Sequence, residues 1–243
     1  MNDGQRKQLD EQGYLLLSGV LSLAEVAEVV AQAEAVWAAE GAQAGSENYL
    51  EPGVRRLANL ANKGEAFRRL MVHPAVLEAV HSVLGAGVRI NMLNARDVLP
   101  AARGTAVQPL HTDADHGAKA DAHGYLVCTA IWMLDPFTRE NGATRLVPGT
   151  HRSTALPKEV LADVLAAHPD EIYVTGQPGD VFIFNGHCWH AGGANHTDSA
   201  RRAILAHYAR ADQPQRLNQK ESLSPSVQAA LSPLEREVLG LDD

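Results

Sequence analysis

Between Val88 and Arg210 the chain breaks into short segments rich in β-branched and aromatic residues, each bounded by Gly, Pro or Asn. This texture constrains the fold more than any other feature. The segments are Val88–Leu99, Tyr125–Leu134, Thr144–Val147, Glu171–Thr175, Asp180–Phe184 and Arg201–Arg210. Asn141-Gly142, Pro148-Gly149, Pro178-Gly179 and Asn185-Gly186 punctuate them as turns. Many short strands at turn spacing predict a sandwich or jelly roll. Lys158–His168 has the pattern of one amphipathic helix, and a last helix is expected over Ser224–Leu239.

The N-terminal third reads differently. Ser22 and Glu25 form a capping box ahead of Val26, Val29, Val30, Ala33, Val36 and Trp37 at helical spacing. A second helix is expected from Pro74 to the glycine at 85, and Gly13–Leu17 reads as a strand. No repeat or linker divides the chain. The expectation is one domain over 1–243: a helical portion at 1–86 packing on a jelly-roll core at 87–212, then a C-terminal helix at 213–243. The fold class is mainly β with peripheral helices.

Composition excludes several classes. A net charge of −8 argues against a broad nucleic-acid or acidic-membrane footprint. No apolar run approaches the roughly 18 residues needed to span a bilayer. Two cysteines, Cys128 and Cys188, make no disulfide framework and suit a reducing, cytoplasmic setting. Eleven histidines are present, nine of them between His111 and His207. Histidine is the commonest protein ligand for metals.

The sharpest cluster is His111-Thr112-Asp113. In an extended segment residues two apart face the same way, so an imidazole and a carboxylate converge. Two groups do not close a metal site. Third candidates lie in Gly186-His187-Cys188-Trp189-His190 and at His196. Two histidines and one carboxylate on one face of an octahedral ion leave open positions, as in non-haem Fe(II) chemistry. A chance H-x-D in a histidine-rich chain is the bland alternative.

The surrounding motifs resemble the phytanoyl-CoA dioxygenase family of Fe(II)/2-oxoglutarate-dependent oxygenases. They run in the family's order: Leu9-Asp10-Glu11-Gln12-Gly13-Tyr14, then Gln108-Pro109-Leu110-His111-Thr112-Asp113, then Trp132 with Glu140-Asn141-Gly142 and Val147-Pro148-Gly149-Thr150-His151. Gly179–Phe184, Trp189–Asn195 and Arg201–Leu205 complete the series. The resemblance implies a double-stranded β-helix, a cupin-like jelly roll. It implies Fe(2+) held by His111, Asp113 and His190, with His187 outside the metal's immediate ligands, His196 solvated and His151 structural. It implies 2-oxoglutarate as cosubstrate, its far carboxylate on Arg201, which follows His190 by eleven residues. Trp132 matches a family tryptophan that can lie beside the cosubstrate, and reads equally as a core aromatic.

The implied reaction consumes dioxygen, turns 2-oxoglutarate into succinate and carbon dioxide, and hydroxylates a small organic molecule. In halogenating relatives a small residue replaces the carboxylate ligand; Asp113 argues against that outcome. Ala114–Gly124, with Asp115, His116, Lys119, Asp121 and His123, reads either as a substrate lid or as a solvated loop. Asp115 reads as a loop carboxylate. Two other classes stay open: a non-catalytic jelly-roll binding protein, and a metal enzyme that does not use 2-oxoglutarate.

Overall fold

Side-chain caps start the N-terminal helices. The computed structural model describes residues 1–47, 50–103, 106–114 and 117–242. The Asn2 side chain accepts the Gln5 N–H and opens α1 (Asp3–Gln12). Gly13, at φ 77°, turns the chain into β1 (Tyr14–Leu17). A Cβ at Gly13 would meet Cys188 Sγ and His151 Nδ1 at 2.4 Å, so only glycine fits this turn. Ser22 and Glu25 cap α2 (Leu23–Glu40) as the sequence predicts. Then come β2 (Val54–Leu57), α3 (Glu65–Met71) and α4 (Pro74–Leu84). The strands β3 (Val88–Val98), β4 (Val127–Met133) and β5 (Thr144–Val147) lead to the single turn α5 (Pro157–Val160). Next are β6 (Ile172–Tyr173), β7 (Val181–Asn185), β8 (Trp189–Gly192) and β9 (Arg201–Arg210). Three short helices, α6 (Gln219–Ser222), α7 (Pro225–Ala230) and α8 (Pro233–Leu239), follow.

Two antiparallel sheets make a jelly roll. The larger has the order β1-β7-β4-β9-β3-β2, the smaller β6-β5-β8. Alternation sorts the side chains. On the outer face of the large sheet, Ala130 and Trp132 of β4, Val181 and Ile183 of β7, and Ile204, Ala206 and Tyr208 of β9 pack with Val29, Phe67, Val76 and Val80 from the helices. On its inner face Ile131, Met133, Phe182, Phe184 and Ala203 pack with Leu146 of the small sheet.

One irregularity matters for function. The β3–β9 register slips between Ile90 and Met92, leaving Asn91 as a bulge. Before it, Val88 and Ile90 point into the outer core; after it, Met92, Asn94 and Arg96 line the interior. A one-residue slip moves every later side chain to the other face.

Several expectations need correction. The 1–86 portion is not simply helical, because β1 and β2 form the two edges of the large sheet. Lys158–His168 is not a helix beyond Val160. Leu161 is extended, the Val164 carbonyl accepts the Leu110 N–H at 2.8 Å, and Asp163 Oδ1 accepts the Leu165 N–H at 2.8 Å. Those bonds compete with helical ones. Ser224–Leu239 is two helices, because Pro233 disfavours a helical Ser232, which caps α8 instead. Glu171–Thr175 shrinks to the two residues of β6. The elements α1, β2, α3 and β8 are not anticipated by the sequence pattern.

Candidate metal centre and cavity

The stretch from Gln108 to Asp113 runs alongside β8. Gln108 N–H donates to the Gly192 carbonyl at 2.9 Å, and Gly192 N–H returns to Gln108 Oε1 at 2.9 Å. His111 and His190 exchange both backbone hydrogen bonds at 3.0 Å, which places their imidazoles side by side with centroids 4.4 Å apart. The Asp113 N–H donates to the Gly186 carbonyl at 2.7 Å, bringing the carboxylate to the same point.

Each imidazole is oriented by its Nδ1. His111 Nδ1 lies 2.9 Å from the Pro109 carbonyl and His190 Nδ1 2.9 Å from the Cys188 carbonyl. A carbonyl can only accept, so each Nδ1 carries the proton and each Nε2 presents a lone pair. His190 Nε2 is 3.3 Å and His111 Nε2 4.0 Å from Asp113 Oδ1. Ligand atoms of the three residues all lie within 4.8 Å of one another. Burial disfavours the charge on Asp113, but His190 beside it holds the carboxyl far below its usual range. Burial and His190 lower the pKa of His111; at His190 burial is outweighed by Asp113, which raises its pKa. The donor set, two ring nitrogens and one carboxylate oxygen with a cavity on the open side, fits a facially bound divalent ion.

Thr129 adds a residue that sequence reasoning missed. Its Oγ1 donates to Asp113 Oδ2 at 2.6 Å, leaving Oδ1 toward the imidazoles. Thr129→Val keeps the shape and removes the hydrogen bond. It is expected to weaken Fe(II) binding about 10-fold, as loss of a ligand-orienting partner does. Competitive titration with a chelator measures it, and an unchanged affinity would remove Thr129 from the site.

The cavity over these ligands has a volume of about 160 Å³. Its walls include Arg56, Arg96, Gln108, Ile131, Leu205 and His207. Glu51 binds three of these groups: Arg96 at 2.6 Å, Arg56 at 3.0 Å and Gln108 Nε2 at 2.6 Å. Burial works against its charge, yet the arginines keep its carboxyl below the ordinary range. Two cations against one anion leave this wall positive. The sequence motifs assign Gln108 no role and do not point to Glu51, Arg56 or Arg96. For Arg96 the signal available was a polar residue inside the strand run of β3.

Arg201 lies further along the inner face of β9, with Ala203 between it and the cavity wall at Leu205. Its Nε donates to the Asn141 carbonyl at 3.2 Å, and its guanidinium stands 4.0 Å over the Phe137 ring. No carboxylate among the described residues pairs with it, and burial pushes its pKa down to about 9. Arg202 points outward and is bound through two nitrogens by Asp135 at 2.9 and 2.6 Å. Trp132 is corrected. It is fully buried on the outer face of β4, edge-on to His73 at 5.4 Å, and stands across the sheet from the cavity. Alternation makes Thr129 and Ile131 the inward residues of that strand.

The other histidines weighed from the sequence stand apart from the triad. His151 Nε2 meets the Asp10 carbonyl at 2.9 Å, fastening the end of α1. His196 is exposed. His187 Nε2 accepts the Leu126 N–H at 3.1 Å, so its ring must be neutral there, and burial lowers its pKa to about 4. A folded-state value below the unfolded one near 6.5 makes protonation favour unfolding. The stabilisation is complete above about 6.5 and is lost as pH falls toward 4. His187→Gln keeps an acceptor that does not titrate. Wild type is expected to lose on the order of 2 kcal/mol more than this variant between pH 6.5 and 4.5, read from urea unfolding. Parallel losses would show that another group governs the acid limb.

In the 114–124 connection, Asp115 and His116 lie outside the described residues. Its far end is tied down: Asp121 exchanges backbone bonds with Gly124 at 3.0 and 3.1 Å, and Arg210 Nη2 binds Asp121 at 2.6 Å. Among the described residues no helix is long and apolar enough to cross a membrane.

Comparison with known proteins identifies the family. The dioxygenase af480 of Aspergillus fumigatus is 29% identical over 250 residues, covering 99% of this chain and 77% of that protein. The crystal structure of SnoK, a non-heme alpha ketoglutarate dependent carbocyclase from nogalamycin biosynthesis, superposes with a TM-score of 0.72 at 26% identity, covering 96% of this chain and 92% of SnoK. HygX from Streptomyces hygroscopicus, solved with nickel and 2-oxoglutarate bound, superposes with a TM-score of 0.69 at 19% identity over 88% of this chain and 89% of HygX. The family model for phytanoyl-CoA dioxygenase (PhyH) matches residues 9–203, and with that match over most of its length the chain belongs to the phytanoyl-CoA dioxygenase family.

Proposed function

We propose that the chain is a non-haem Fe(II)- and 2-oxoglutarate-dependent dioxygenase that hydroxylates a small organic metabolite. The observation that carries the reading is the donor set: two Nε2 lone pairs, each fixed by an Nδ1–carbonyl bond, facing one oxygen of Asp113. His111, Asp113 and His190 would hold the metal, and Arg201 the far carboxylate of the cosubstrate. Bound iron and 2-oxoglutarate supply the oxidising power, with dioxygen, to break a C–H bond as the cosubstrate becomes succinate and carbon dioxide.

The chain's own residues orient and shield. Thr129 keeps one oxygen of Asp113 turned to the ligand cluster. The positive wall of Arg56 and Arg96 attracts a dianionic cosubstrate. Phe184, Ile131 and Leu205 line the cavity with apolar surface that excludes water. Arg201 offers a buried cation without a carboxylate partner among the described residues, which a ligand carboxylate would neutralise. Residues 117–124 would border the substrate, their end anchored by Arg210. A second outcome, ring closure in place of hydroxylation, is suggested by the likeness to a carbocyclase; the same ligand set would serve it.

Anaerobic addition of Fe(II) and 2-oxoglutarate tests the reading. A weak visible charge-transfer band is expected for the chelate. A protein that binds zinc stoichiometrically, shows no such band and releases no succinate in air is a different metal enzyme; one that binds no metal is a binding protein. Succinate release across candidate substrates would then separate hydroxylation from ring chemistry by product mass.

A further inference from the structure

Glu51 opens a Pro-Gly turn. Its carbonyl accepts the Val54 N–H at 3.1 Å across Pro52 and Gly53, and Gly53 takes φ 71°. The Gly53 carbonyl accepts the Leu99 N–H at 2.9 Å, which ties the turn to the end of β3. The backbone of Glu51 is thereby fixed ahead of β2.

The β2–β3 register sets Arg56 directly opposite Arg96. Like charges facing each other across two strands repel. Both arginines line the cavity over His111, Asp113 and His190, and their side chains are only 19% and 12% exposed. Glu51 joins them. Its Oε2 accepts Arg56 Nη2 at 3.0 Å and Arg96 Nε at 3.2 Å. Its Oε1 accepts Arg96 Nη2 and Gln108 Nε2, each at 2.6 Å. One carboxylate thus holds three groups from three segments of the chain. Gln108 carries the connection on, since its Oε1 accepts the N–H of Gly192, two residues from His190. A Cβ at Gly192 would lie 2.7 Å from Gln108 Oε1 and 3.5 Å from Arg96 Nη2, so both groups close directly on the β8 backbone.

We infer that Glu51 is a positioning residue for the cosubstrate, holding Arg56, Arg96 and Gln108 as a preformed cationic wall for a 2-oxo dicarboxylate. The inference rests on the dioxygenase reading and deepens it: an acidic residue favours the binding of an anion. Two effects oppose each other. Glu51 cancels one of two positive charges, which weakens attraction at a distance. It also keeps two repelling guanidiniums in one place, so an arriving dianion finds them already gathered. The second effect wins here. The bonds are charge-assisted, Arg96 is held through two nitrogens, and the groups are largely buried. A single charge acting across a cavity open to water is screened.

The test uses the full chain. Fe(II) affinity is read by chelator competition, and 2-oxoglutarate affinity by anaerobic calorimetric titration of the Fe(II)-loaded protein. Glu51→Gln keeps the shape and removes the charge. It is expected to weaken 2-oxoglutarate about 10-fold, as loss of an orienting partner does, with Fe(II) affinity changed less than about 2-fold. Glu51→Asp keeps the charge on a side chain one methylene shorter, which cannot span all three groups. It is expected to weaken 2-oxoglutarate about 3-fold or more. In an Arg96→Leu background, Glu51→Gln should weaken it by less than about 3-fold, because a group it holds is gone. Tighter binding in Glu51→Gln makes Glu51 a competitor for the wall and overturns the inference. So does wild-type affinity in Glu51→Asp, which shows that charge and not position matters. An equal loss with and without Arg96, or a parallel loss of Fe(II) affinity, also overturns it. Should Glu51→Gln fail to fold, the Glu51→Asp titration decides. A wild type that binds no 2-oxoglutarate overturns the dioxygenase reading together with this one. Wild-type binding that both Glu51 variants share overturns this one alone.

Discussion

His190→Ala is expected to lose stoichiometric Fe(II) binding and to bring substrate-dependent succinate release to background. One of three donors disappears, and the remaining His111 and Asp113 cannot hold a divalent ion against water at ordinary concentrations. The fold should survive, because the bonds that tie β8 to the 108–113 segment are backbone bonds from His190 to His111 and from Gly192 to Gln108. Asp113→Gly should also lower substrate-dependent succinate release by orders of magnitude, while opening a coordination position that chloride could fill. His187→Ala is the control. Its ring is bonded to the Leu126 N–H, so its loss should lower stability without removing iron. Metal content by mass spectrometry, with melting temperature alongside, decides between them. Full iron content and activity in His190→Ala, with both lost in His187→Ala, would move the third ligand to His187.

Arg201→Ala is expected to weaken 2-oxoglutarate binding by roughly 2–5 kcal/mol, the range for breaking a buried charge pair by removing one partner. The physical reason is its environment. The guanidinium is buried against Phe137 and Asn141, without a carboxylate partner among the described residues, so a ligand carboxylate there would exchange a desolvated charge for a pair. Arg202→Ala should change binding by less than about 1 kcal/mol, since it points outward to Asp135 and is partly exposed. Arg96→Ala is the informative third arm. Arg96 lines the cavity itself but is already bonded to Glu51 at 2.6 Å. Titration of 2-oxoglutarate into all three variants, followed by the chelate band, reads the ranking. A larger loss for Arg96→Ala than for Arg201→Ala would move the cosubstrate's far carboxylate to the Glu51 cluster.

How much of this was legible in the residues differs by element. The strands β3, β4, β5, β7 and β9 were visible as apolar, β-branched runs between turn signals, because strand propensity and turn chemistry are local. The capping box at Ser22 and the proline at the start of α4 set their helices for the same reason. His111 and Asp113 stood out because side chains two apart in an extended segment share a face. Local pattern failed where long-range bonds overrode it. The helical periodicity over Lys158–His168 yielded when the Val164 carbonyl was taken by Leu110, and Pro233 split the last helix.

What the amino-acid sequence offered by itself was an H-x-D pair on a chain patterned for a jelly roll, to which the family resemblance added a distant histidine and an arginine eleven residues beyond it. Only the tertiary structure decided which face each residue took. Trp132 went outward and Thr129 inward because strand pairing sets one parity for the whole of β4. The bulge at Asn91 reversed parity within β3 and turned Asn94 and Arg96 to the cavity. The imidazoles of His111 and His190, far apart in the chain, meet because two backbone hydrogen bonds hold their strands in register. Local propensity carries no information about that register, which depends on every pairing in the two sheets at once.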